Sequence, residues 1–200
     1  MRPARSDGGV LIVVVGPSGV GKDRLIDHAR QELSDDASVL FVRRVVTRTS
    51  LAVAEDHDCL SPEEFSAAQA AGQFAVSWEA HGLCYGIPSS VRRHLARGGV
   101  ALINGSRAAL PAIRSAFGKV LVLHVTAPPD VLARRLAGRG RESMAEIRSR
   151  LERAAFTLPE DCGEAIEIDN SGAFELAAAA FLETIRKAAV AAEIGKKAWK

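Results

Sequence analysis

Val10-Leu-Ile-Val-Val-Val15 runs without a break into Gly16-Pro-Ser-Gly-Val-Gly-Lys-Asp23. A continuous apolar run, mostly β-branched, predicts a central parallel strand covered on both faces. The residues that follow, Gly16, Pro17, Ser18, Gly19, Val20, Gly21, Lys22 and Asp23, match the phosphate-loop pattern G-x-x-x-x-G-K-[ST] everywhere except at its end. Glycines let the backbone close around phosphate oxygens, with its N–H groups turned inward. The helix that opens at Lys22 adds partial positive charge at its N-terminus. Lys22 is placed to reach the β- and γ-phosphates of a nucleoside triphosphate, with ATP the expected ligand.

Asp23 stands where serine or threonine normally holds magnesium. Two readings follow: metal binding is lost, or the carboxylate takes it over, directly or through a water. The second is favoured, because magnesium takes oxygen ligands and keeps several waters. A carboxylate facing phosphates then requires a cation between them, so Mg2+ is the expected cofactor. No Walker B acid follows the apolar strands: residues 100–103 lead into Asn104-Gly-Ser-Arg107, and 120–125 into Thr126-Ala-Pro. That argues against a motor ATPase or GTPase.

Working outward, strands are expected over 39–46, 74–78, 100–103, 120–125 and 165–168. Helices are expected over about 22–33, from Ser61-Pro-Glu-Glu64 onward, and over 88–97, 107–117, 128–136, 143–155 and 173–192. Both ends, 1–8 and 194–200, read as frayed. Strands alternating with helices predict an α/β fold with a mainly parallel sheet. The 200 residues suit one domain, with a core over about 10–192, an acceptor-binding segment over about 43–90 and a lid over about 137–150.

Composition excludes more than it identifies. A net charge of +2 leaves no nucleic-acid footprint. No run approaches the length of a membrane span, and the apolar stretch after Arg2 and Arg5 is too short for a signal peptide. Cys59, Cys84 and Cys162 are odd in number and widely spaced, which fits reduced thiols in a cytoplasmic protein. Small-molecule partners are expected, with no nucleic acid and no membrane; the oligomeric state is not legible.

Arginines carry the remaining signal. Arg43, Arg44 and Arg48 close the second expected strand. Arg134, Arg135, Arg139, Arg141, Arg148 and Arg150 span the glycine break at 138–140, as a mobile lid would. Transfer between two anions needs cations that shield repulsion and stabilise the equatorial charge. Arg139, between two glycines, has no structural reason to be there, whereas Arg134, Arg135 and Arg148 suit a solvated helix face.

GPSGVGK at 16–22, Thr47-Arg48, LSPEEF at 60–65, Tyr85-Gly86, GRG at 138–140 and Arg150-Leu151 together resemble the guanylate kinase group of P-loop nucleoside-monophosphate kinases. The resemblance implies that fold, a mainly parallel central sheet flanked by helices, with lid and acceptor-binding insertions. It implies that Arg139 and Arg150 stabilise the transferring phosphoryl group. Arg48 and Tyr85 would hold the acceptor phosphate. Yet Ser77 replaces the glutamate that reads guanine, Leu51 a second phosphate arginine, and His57 a tyrosine. A site stripped of its base-pairing partners loses the base.

Lys22-Asp23, residues 45–48, Glu55-Asp-His57, SWEAHGLCYG at 77–86, NGSR at 104–107, GRGRE at 138–142, RLERAA at 150–155, Pro159-Glu-Asp-Cys162 and Asn170-Ser-Gly172 resemble a narrower family, the ribose 1,5-bisphosphate phosphokinases of phosphonate catabolism. This resemblance spans about residues 10–172. It implies phosphorylation of α-D-ribose 1,5-bisphosphate by ATP to 5-phosphoribosyl 1-diphosphate. An acceptor with two phosphates calls for cations beyond Arg48, and Arg44 and Arg107 are the candidates. Asn104, Ser106 and His57 could bond ribose hydroxyls or phosphate oxygens, and Asn104 ends a strand at the sheet's carboxyl edge. Asn170 and Ser171 follow the last strand, where the wider group holds adenine. Trp78 and Phe74 read as core. A nucleoside-monophosphate kinase with altered base preference is the alternative, and a non-catalytic guanylate-kinase-like module a remote one, since Lys22, Arg139 and Arg150 are all kept.

Overall fold

A computed structural model describes residues 8–47, 57–80, 82–137, 158 and 162–197. The quoted run is strand β1 (Val10–Val15), and it lies at the middle of a five-stranded parallel sheet. Its neighbours are β7 (Val100–Asn104) and β8 (Val120–Thr126); β2 (Val39–Phe41) and β9 (Ala165–Asp169) form the edges, giving the order β2-β7-β1-β8-β9.

Alternation along β1 sends Ile12 and Val14 to one face and Leu11, Val13 and Val15 to the other. The first face packs on α1 (Lys22–Glu32) and on the last helix, α6 (Phe174–Lys197), through Leu25, Phe181 and Ile185. The second packs on α3 (Val91–Ala96) and α4 (Leu110–Ala116), through Leu95, Leu110 and Ile113. Coverage on both faces is why β1 reads as unbroken hydrophobicity rather than alternation. The helix α5 (Pro129–Ala137) follows β8.

The expected strand over 39–46 is two strands in two sheets. Val42 N–H still bonds Leu102 C=O at 2.9 Å, and the chain then leaves the first sheet. Strand β3 (Arg44–Thr47) joins a four-stranded sheet ordered β4-β3-β6-β5, with β4 (His57–Leu60), β5 (Phe74–Ala80) and β6 (Leu83–Pro88). Both halves bury apolar side chains, so the hydrophobic pattern does not register the change of partner; Arg43-Arg44 is its only mark. Strands β4 and β6 were not expected. Gly86 lies mid-strand because the Phe74 ring occupies the space a Cβ would need, 2.6 Å away.

Helix α2 (Pro62–Ala70) starts as read, with a reciprocal capping box between Ser61 and Glu64 and Pro62 in its first turn. The helix expected from residue 88 begins at Val91, because Pro88 still belongs to β6. The one expected over 107–117 opens with a 3-10 turn, Arg107–Ala109, before α4; Pro111 falls in its first turn, where no N–H is required. The last helix runs on to Lys197 instead of fraying at 194. No described helix is long and apolar enough to cross a membrane. The helix expected over 143–155 and the lid beyond residue 137 lie outside the described residues.

Candidate active site

The phosphate loop leaves β1 at the carboxyl edge of the parallel sheet, where open α/β folds bind ligands. Gly21 caps α1 in the left-handed region (φ 97°) and, being glycine, supplies no side-chain cap. A Cβ on Gly21 would come within 2.6 Å of Asn170 Nδ2, so backbone conformation and space both require glycine. That neighbour matters. Asn170 is 4% exposed, and its Nδ2 donates to Val20 C=O at 2.7 Å, across 150 residues of sequence. Its own N–H donates to Thr126 C=O at 2.9 Å. The loop is thereby tied to the ends of β8 and β9. Lys22 curls back over the loop, its Nζ donating to Gly16 and Pro17 carbonyls at 2.9 and 3.0 Å. These contacts hold the ammonium at the loop mouth.

Asp23, in the first turn of α1, meets the end of β7. Asn104 Nδ2 donates to Asp23 Oδ1 at 2.6 Å. Beyond Asn104 the chain turns through Gly105, whose N–H bonds Val14 C=O at 2.8 Å, to the partly buried Arg107. Burial draws the Arg107 guanidinium's pKa below its ordinary value. His124, on the next strand but one, lies within the fields of Arg107 and Glu167, and Thr126 Oγ1 donates to Glu167 at 2.9 Å. Burial is the main cause that lowers the His124 pKa; Arg107 lowers it further and Glu167 opposes both.

The second sheet presents a different group. Trp78 and Tyr85 face each other across β5 and β6, their rings stacked at 5.4 Å and 10°. The Arg44 guanidinium lies 5.6 Å from the Tyr85 ring centroid, a cation–π contact. Ser77 pairs with Gly86, one position along, and therefore lies on the opposite face of that sheet from Tyr85. His57 runs in register with Arg44 on β4.

Comparison with known proteins gives the family and the fold. A family model described as an AAA domain matches residues 12–154. The ribose 1,5-bisphosphate phosphokinase PhnN of Agrobacterium fabrum is 49% identical over 179 residues, covering 90% of this chain and 97% of its own length. The protein of the same name from Rhizobium etli is 47% identical over 172 residues, 86% of this chain and 87% of that one. The chain belongs to the ribose 1,5-bisphosphate phosphokinase family. Among solved structures, a guanylate kinase from Anaplasma phagocytophilum superposes with a TM-score of 0.60 over 92% of this chain and 87% of its own, at 19% identity. That likeness shows the fold: the guanylate-kinase-like P-loop arrangement, with its mainly parallel sheet flanked by helices.

Of the residues the sequence selects for a site in this family, Gly16 to Asp23 and Asn104 come together at one sheet edge, and Arg107 follows Asn104 there. Arg44 and Tyr85 meet on the second sheet, while Ser77 is on its other face. Arg48, Arg139 and Arg150 lie outside the described residues, as does the His57 side chain. Two features escaped the sequence. The sequence offers Asn170 for its place after the last strand, and does not show that its side chain clamps the phosphate loop. His124 was passed over because it sits inside an apolar strand, with only its period-two position to separate it from the core.

The His124 environment has a measurable consequence. Its folded pKa is below the 6.5 of an unfolded histidine, so below about pH 6.5 the unfolded chain takes the proton first. This contribution is fully present above pH 6.5 and is lost as pH falls through the folded value. Urea midpoints measured from about pH 7.5 to 5 should therefore decline, and His124→Gln should flatten that decline. An unchanged slope in the variant would assign the acid sensitivity to other groups.

Proposed function

We infer that this chain transfers the γ-phosphoryl group of ATP to α-D-ribose 1,5-bisphosphate, giving ADP and 5-phosphoribosyl 1-diphosphate. The reading rests on 49% identity to a named ribose 1,5-bisphosphate phosphokinase over nearly its whole length. The acceptor's 1-phosphate oxygen attacks the γ-phosphorus, and the bond from that phosphorus to the β,γ-bridging oxygen breaks, its electron pair leaving with ADP. A phosphate oxygen is already nucleophilic, so no general base is needed. The protein's task is alignment and charge stabilisation.

The loop amides and the first turn of α1 take the β- and γ-phosphates, and Lys22 moves off its two carbonyls onto them. Arg139 and Arg150, on the lid, take the charge of the transferring group. Arg48, Arg44 and Tyr85 hold one acceptor phosphate and Arg107 the other, within an acceptor-binding segment at 43–90; His57 and the carbonyl end of Asn104 line the sugar, and Ser77, on the other face of that sheet, takes no part in it. All of this belongs to a single kinase domain working in the cytoplasm on small molecules, and the described cysteines are all free thiols.

Kinases of this kind use ATP with Mg2+. The residues present fit that ion sparingly, since Asp23 supplies one oriented carboxylate and no described cluster of three acidic, histidine or cysteine side chains could hold a metal alone. That suits magnesium, which binds one or two carboxylates together with substrate phosphates and water. When bound it would neutralise phosphate charge.

The direct test is an ADP-release assay with MgATP and, in turn, ribose 1,5-bisphosphate, GMP, AMP and dGMP. Turnover is expected with the sugar bisphosphate alone, with 5-phosphoribosyl 1-diphosphate as product. Turnover with a nucleotide and none with the sugar would overturn the acceptor.

A further inference from the structure

Helix α6 carries an apolar stripe on the side facing away from the core. Phe181, Ile185 and Ala192 are buried against the sheet. At 100° per residue, Leu176, Ala179, Val190 and Ile194 fall on the opposite side, where a surface helix is ordinarily polar. Leu176 is 74% exposed, Val190 57% and Ile194 63%, the three largest exposures among the described large hydrophobic residues. Between the two apolar ends stand Glu183 and Lys187, which form an i,i+4 ion pair at 2.7 Å.

We propose that this stripe is the contact of a homodimer in which two copies of α6 pack antiparallel about a two-fold axis near residue 185. That arrangement lays Leu176 of one copy on Ile194 of the other, and Ala179 on Val190. It also sets Glu183 beside Lys187 of the second copy, twice by symmetry. At about 100° per residue Leu176 and Ile194 lie at the same angle around the helix, Ala179 and Val190 within about 20° and Glu183 and Lys187 within about 40°, so both apolar ends are covered at once. A parallel pairing in register would put Glu183 on Glu183 and Lys187 on Lys187, a like-charge penalty. The charge pattern therefore selects a second copy of this chain in one orientation. The stripe runs about 27 Å at 1.5 Å per residue, one helix wide. That is short of a standard interface of ~1,600 Å², so association should be micromolar and concentration-dependent.

Sedimentation equilibrium of the full chain, from low to high micromolar concentration, tests this. The mass should rise from one chain toward two. The double variant Val190→Glu, Ile194→Glu should stay at one chain throughout, with circular dichroism and kinase rate unchanged, because neither residue approaches the phosphate loop. Lys187→Glu alone should weaken the dimer roughly tenfold or more, and combining it with Glu183→Lys should restore it. A wild-type chain that remains single at every concentration overturns the proposal, as does a dimer that persists in the double variant. A dimer indifferent to Lys187→Glu overturns the antiparallel register.

Discussion

Lys22→Met should lower kcat by about a thousandfold, with the fold intact. The lysine donates to Gly16 and Pro17 carbonyls at 2.9 and 3.0 Å, so its ammonium is held at the loop mouth. On binding, it exchanges two neutral acceptors for phosphate oxygens, and its attraction grows as charge shifts toward the leaving β-phosphate. An interaction stronger in the transition state than in the ground state appears in kcat more than in KM. Methionine keeps the length and helix propensity of the side chain, so the first turn of α1 should persist. Steady-state kinetics on variant and wild type, with thermal melts as the fold control, measure the effect. A variant within tenfold of wild type in kcat would remove Lys22 from the transferring phosphates and leave it as a fastener of its own loop.

The sequence carried the centre of this molecule better than its margins, for physical reasons. Strand β1 and its loop are legible because a parallel strand buried on both faces and a phosphate cradle each demand particular residue types in a row. The capping box at Ser61 is legible because the two bonds that make it are three residues apart. What is lost is whatever depends on partners remote in sequence. Residues 39–46 pass from one sheet to the other with Arg43-Arg44 as the only mark between two apolar halves. Asn170 reads only as a residue that follows the last strand, and its hold on Val20 C=O, 150 residues away, is a fact of folding alone. Asn104 is legible as the residue that ends a strand at the sheet's carboxyl edge, but the partner of its amide, Asp23, is 81 residues away and is not. Two of the stretches that carry the family resemblance, Lys22-Asp23 and Asn104-Gly-Ser-Arg107, are thus two sides of one contact.

That contact makes the second strong prediction, and its sign reverses with the metal. At the loop mouth the Asp23 carboxylate repels bare phosphates and favours them only across a cation. Asp23→Asn should therefore tighten binding of metal-free ATP, by about fivefold for ~1 kcal/mol of repulsion removed in a solvated site. It should also weaken binding of MgATP, so that the gain in affinity conferred by Mg2+ largely disappears. Titration calorimetry with and without the metal reads both quantities and needs no turnover. Asn104→Ala keeps the carboxylate but releases its Oδ1, so it should lose part of the metal's advantage while leaving metal-free binding nearly unchanged. In the double variant the two effects should fail to add, because Asn104 acts on the metal only through Asp23. Strict additivity would separate the residues and leave Asn104 no part in placing the metal's carboxylate. A metal dependence untouched by Asp23→Asn would mean that substrate phosphates and water hold the ion without the helix, and that the carboxylate at this position is not what replaces the usual hydroxyl.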